Sequence, residues 1–78
     1  MFGKRLRKMR MYHHYTQQQL ADLLNIALRS YQKYEQGERE PSYNTLIRIA
    51  DILDVSIDYL LGRDDFLKSL GVSVDESQ

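Results

Sequence analysis

Cysteine and tryptophan are absent from this chain of 78 residues, proline occurs once and glycine four times. Without cysteine there is no disulfide, no thiolate metal ligand and no thiol nucleophile, so a core of this size must stand on packing alone. The same absence fits a reducing compartment. With Pro41 as the sole proline, most of the chain is free to run as helix. The few glycines are scattered, so no glycine-rich phosphate loop is present. No apolar run approaches the length of a membrane span, and residues 1–15 are basic without the apolar block of a signal peptide. The expectation is a cytoplasmic protein with no membrane partner. His13 and His14 are adjacent and would point in different directions on a helix, which argues against a metal site. No nucleophile–base pair stands out, so neither catalysis nor a cofactor is expected.

Net charge is also lacking, with eleven basic and eleven acidic residues. The distribution is uneven, however. Residues 1–39 hold eight Lys or Arg against three Asp or Glu, a balance of +5, and residues 40–78 hold three against eight, a balance of −5. A neutral chain with a basic half has a place for a polyanion that its total charge conceals.

Apolar residues recur at helical spacing, and five helices fit the pattern. The first covers about residues 2–13, with Phe2, Leu6, Met9 and His13 inward and Lys4, Arg5, Arg7 and Lys8 outward. The second starts at Thr16, where Thr16 and Gln19 make a capping box and Tyr15 and Leu20 a hydrophobic staple. Leu20, Ala21, Leu23 and Leu24 are its expected buried side. Asn25, tolerant of left-handed backbone, stops it. The third runs from about Ala27 to Gln36, with Ala27, Tyr31 and Tyr34 inward and Gly37 closing it. Ser42 caps the fourth, whose stripe is Leu46, Ile49, Ala50 and Leu53. Ser56 caps the fifth, Val55 and Leu60 are placed as its staple, and Gly62 ends it. Asp51, Asp54 and Asp58 read as a solvated face. Residues 1–62 form the expected domain. Residues 63–78 form a tail in which Phe66, Leu67 and Leu70 suit a short helix or a dimerisation segment.

The third helix carries Leu28, Arg29, Gln32, Lys33 and Gln36 on its outer stripe. Arginine pairs two donors with guanine O6 and N7, glutamine matches adenine N6 and N7, and leucine meets a thymine methyl. A short helix, a tight turn and a second helix bearing such groups, all in the basic half, point to double-stranded DNA read in the major groove.

Four fragments at fixed spacing carry a family likeness: Leu6 and Arg10, TQQQLA at 16–21, YEQGEREPS at 34–42 and VSIDYLLG at 55–62. Residues 2–62 resemble a helix-turn-helix domain of the Xre type, the group of phage repressors and Cro proteins. The resemblance implies an all-α, five-helix, lambda-repressor-like fold whose third helix is the recognition helix. It implies base contacts by Leu28, Arg29 and Lys33, with Gln32 able to join them. It implies phosphate contacts by Gln17, Ser30, Gln36 and Arg39; of the tyrosines, Tyr31 and Tyr34 read as core and only Tyr43 as a phosphate donor. It also implies a buried ion pair between Arg10 and Glu35. His14 departs from the family pattern where glycine is common, and Ala27 where serine or threonine often caps the third helix. The implied function is sequence-specific DNA binding by a transcriptional repressor; because one helix of about ten residues spans only about 15 Å and reads few base pairs, a homodimer on paired half-sites is expected. Two alternatives share the fold: an antitoxin that also wraps a protein partner such as a toxin, and an interaction module that has lost DNA binding. An antirepressor is a further partner of the same kind.

Overall fold

The computed structural model describes residues 1–63. The expectations placed on Phe66, Leu67 and Leu70 lie outside the described residues. Five helices follow one another, and the described residues contain no strand: α1 Phe2–Tyr12, α2 Gln17–Leu24, α3 Leu28–Gln36, α4 Tyr43–Leu53 and α5 Ile57–Leu60.

Local chemistry explains where each helix begins. Thr16 accepts from the Gln19 amide while the Gln19 side chain accepts from the Thr16 amide, a complete capping box at the start of α2. Ser42 and Ser56 accept from the Thr45 and Tyr59 amides and cap α4 and α5. The ends are set by left-handed residues. Asn25 ends α2 at φ 57, Gly37 ends α3 at φ 77 and Asp54 ends α4 at φ 53. Only glycine adopts this conformation without steric cost, and Asn and Asp tolerate it better than most. His14, at φ 62, holds the α1–α2 turn in the same conformation.

One core joins all five helices. Leu6, Met9, Leu20, Tyr31, Ile49, Leu53 and Leu60 are its largest fully buried side chains. The core packs α3 against both α1 and α2, and α5 against α1 and α4. Arg5 adds a polar clamp from α1 to α5, its guanidinium 4.6 Å from the Tyr59 ring centroid and donating to the Tyr59 carbonyl at 2.9 Å.

Three expectations need correction. Helix α1 ends at Tyr12, and His13 is its C-terminal cap rather than part of the helix. Leu23 is 46% exposed, not buried. Leu20, Ala21 and Leu24 define the inward arc of α2, and at about 100° per residue Leu23 falls on its flank. Ala27 is exposed, because it precedes α3 in an extended conformation (φ −66, ψ 146) and does not lie on the helix face.

Candidate nucleic-acid interface

The α2–α3 turn is tight because Asn25 reverses the chain, after which the Ile26 amide donates to the Ala21 carbonyl at 3.0 Å. Arg48, reaching over from α4, donates to the Leu24 and Leu23 carbonyls at 3.2 and 2.7 Å. It satisfies carbonyl groups that the end of α2 leaves without partners. Helix α3 is thereby docked with Tyr31 and Tyr34 inward and the opposite side facing outward.

On that outward side Arg29 and Gln36 are exposed, and Leu28, Ser30, Gln32 and Lys33 are half-buried. Arg39 and Tyr43 are exposed on the next loop and at the start of α4. Among the described residues the side chains of Arg29, Lys33 and Gln36 make no hydrogen bond or ion pair, so their donors are available to a partner. Ala27 provides no side-chain cap to α3.

Behind this face lies a polar cluster centred on Glu35, whose side chain is only 4% exposed. Arg10 on α1 donates from Nε to Oε2 at 2.6 Å and from Nη2 to Oε1 at 3.3 Å. Its Nη1 donates to the Tyr15 carbonyl at 2.9 Å. Tyr31 Oη donates to Oε2 at 2.5 Å, and Gln17 Nε2 donates to Oε1 at 3.0 Å. Gln32 Nε2 then donates to Gln17 Oε1 at 3.2 Å. The carboxylate thus ties α1, α2 and α3 together.

Burial alone would favour the neutral acid. The hydrogen bonds from Arg10, Tyr31 and Gln17 outweigh it and hold the Glu35 carboxyl below its ordinary range. Burial, with the bond to Glu35, pushes the Tyr31 phenol up. The bond to Glu35 raises Arg10 further, against the effect of its own burial. The cluster is therefore an ionised pair with a neutral phenol at neutral pH.

His13 takes no part in this cluster. Its ring packs edge-on against Tyr12 at 5.1 Å and tilted against Tyr15 at 6.4 Å. No group of three or more metal-ligating side chains occurs among the described residues. No helix among them is long and apolar enough to cross a membrane.

Sequence reasoning missed three of the contacts that position this face. Gly3 lets the first turn of α1 sit directly on the carbonyl oxygens of Tyr34 and Glu35 at the end of α3. A glycine inside a helical pattern was the available signal. Arg48 gave no signal as a cap, because its partners lie 24 and 25 residues away. The bond between Gln17 and Gln32 likewise joins residues that only the folded turn brings together.

A tight bihelical turn braced by a further helix and locked by a buried ion pair is the architecture of a helix-turn-helix domain. The helix-turn-helix family model matches residues 6–60, and the chain belongs to that family. The chain is 54% identical over 61 residues to an uncharacterised HTH-type transcriptional regulator of Bacillus subtilis strain 168, YqaE, covering 78% of this chain and 53% of that protein. It is also 54% identical over 48 residues to RstR, the transcriptional repressor of the cryptic phage CTXphi in Vibrio cholerae serotype O1, covering 62% of this chain and 43% of that one. Among solved structures it is similar to the restriction-modification controller protein C.AhdI from Aeromonas hydrophila. The TM-score is 0.69 at 30% identity, with 76% of this chain and 89% of that chain covered. The chain spans about half the length of the curated relatives it matches.

Proposed function

We propose that this domain binds double-stranded DNA sequence-specifically as the reading head of a cytoplasmic transcriptional repressor of phage or mobile-element type. The observation that carries this reading is the outer face of α3, where the side chains of Arg29, Lys33 and Gln36, in the basic half of the chain, have no partner among the described residues. Arg29, Lys33, Gln32 and Leu28 are assigned to base edges. Gln17, Ser30, Gln36, Arg39 and Tyr43 are assigned to phosphates, where they fix register and carry little sequence information. After bonding Glu35, Gln17 keeps one N–H for that contact. Repressor function is supported by the relative RstR, which is itself a phage repressor.

Binding-site selection from random duplex DNA tests the reading. Arg29→Ala and Lys33→Ala are expected to relax base preference at distinct positions, each by roughly 1–3 kcal/mol of discrimination. Arg39→Ala should weaken all sequences about equally. Unchanged discrimination in both helix variants would remove the assignment of α3.

We further propose that the domain works as a two-fold dimer. The nine residues of α3 span only about 14 Å and reach a few base pairs. Two copies on half-sites roughly 34 Å apart would supply the remaining specificity. Leu61, 47% exposed just after α5, supports an apolar contact there. Sedimentation of the complex with the selected duplex should find two chains per site, and one chain per saturated site would overturn the dimer.

A further inference from the structure

We infer that Glu35 is a positioning residue for base reading: through Gln17 it fixes which end of the Gln32 carboxamide faces the DNA. The inference rests on the DNA-reading assignment above and adds a direction to it. Ionised Glu35 has only acceptors to offer. Gln17 must therefore turn its NH2 toward Glu35, as it does at 3.0 Å, and its carbonyl end faces the other way. That carbonyl accepts only from a donor, so Gln32 must turn its NH2 toward Gln17, as it does at 3.2 Å. Each amide orientation is dictated by the one before it, and the carboxylate is the fixed end of the chain. Arg10 and Tyr31 hold that end still, with three bonds to its two oxygens.

The consequence for recognition follows from what Gln32 has left. One N–H and the whole of its carbonyl oxygen are uncommitted. An acceptor beside a donor is the complement of adenine, which offers N6–H and N7. Guanine offers O6 and N7, two acceptors, and would need the reversed amide with both N–H groups outward. The relay therefore selects adenine over guanine at the base that Gln32 meets. Without Gln17 the amide is free to turn over, and the two purines become similar. Glu35, buried and remote from the outer face, would thus affect a base choice it does not touch.

The test is a double-mutant cycle on the purine preference, using the intact chain and duplexes from site selection. Gln32→Met, which has no donor and only a weak thioether acceptor, identifies the base pair in question as the one whose preference collapses. At that base pair the wild type should favour adenine over guanine by about tenfold or more. Gln17→Met should remove most of that preference, and in the Gln32→Met background it should change the ratio no further. A merely structural role for Gln17 would shift affinity for both duplexes together and leave the ratio alone. Circular dichroism melts of Gln17→Met check that the fold is kept. If Gln32→Met abolishes a preference that Gln17→Met leaves intact, the relay is overturned and DNA reading stands. A guanine preference at the Gln32 position in the wild type would overturn it equally. If selection returns no preferred sequence at all, the DNA-reading assignment fails and the relay with it.

Discussion

Replacing Glu35 with alanine is expected to cost about 3–5 kcal/mol of folding stability, because it strands a guanidinium in a site with 11% exposure. It also removes the acceptor for Tyr31 Oη and Gln17 Nε2. A chain of this size has roughly 4–12 kcal/mol in total, so the variant is expected to sit near its unfolding threshold. Glu38→Ala, at an exposed position three residues on, should stay within about 0.5 kcal/mol of wild type. Urea melts of the two variants decide the matter, and equal midpoints would mean the carboxylate of Glu35 holds nothing together. The same pair has a pH signature. The folded carboxyl is held below its ordinary range, so its contribution is fully present above the unfolded value of about 4.3 and is lost as pH falls through the lower, folded value. Stability of the wild type should therefore decline on acidification below about pH 4.3, and Glu35→Gln should lack that part of the decline.

Gly3→Ala is expected to destabilise the domain by about 1–3 kcal/mol, although helix propensity alone predicts a gain of up to about 1 kcal/mol. The added Cβ would press on the Glu35 carbonyl oxygen and lie 2.8 Å from that of Tyr34. These are backbone atoms at the end of α3, and no side-chain rotation relieves the contact. Either α1 moves away from α3 or its first turn unwinds, and both disturb the packing of Leu6. The sign of the change is the measurement: a thermal melt shifted upward would show that the two helices do not press together at this point.

The two halves of the fold were unequally legible in the sequence. The capping box at Thr16 and Gln19, the serine caps at 42 and 56 and the left-handed Asn25 and Gly37 are local signals, written in neighbouring residues, and a reader of the sequence finds them directly. The outer stripe of α3 was legible for the same reason, since periodicity alone places Arg29, Lys33 and Gln36 together. Arg10 and Glu35 became visible through the family likeness, because nothing local connects residues 25 apart. Leu23 misled because four apolar residues in eight exceed what a short helix can bury on one side. Ala27 misled because a helix with no side-chain cap leaves no mark of where it starts. Asp54 was taken for surface charge, whereas its backbone ends α4 at φ 53, a role that solvent exposure does not prevent. The polar relay from Glu35 to Gln32 was beyond reach, since it exists only once α2 and α3 have crossed.

The side chains of Arg29, Lys33 and Gln36 serve no neighbour among the described residues. Mutations at these three sites are therefore expected to be nearly neutral for folding, and on the proposed reading a lineage can exchange Arg29 and Lys33 while its target sequence drifts. Gln32 and Gln17 each answer to an internal partner, and on the proposed reading to the DNA as well, which is a double constraint. On the proposed reading, divergence of specificity after gene duplication should begin at 29 and 33 and reach 32 only together with 17. A designer who wants a new target sequence on this scaffold has the same order of work: vary Arg29 and Lys33 first, and treat the two glutamines as one choice.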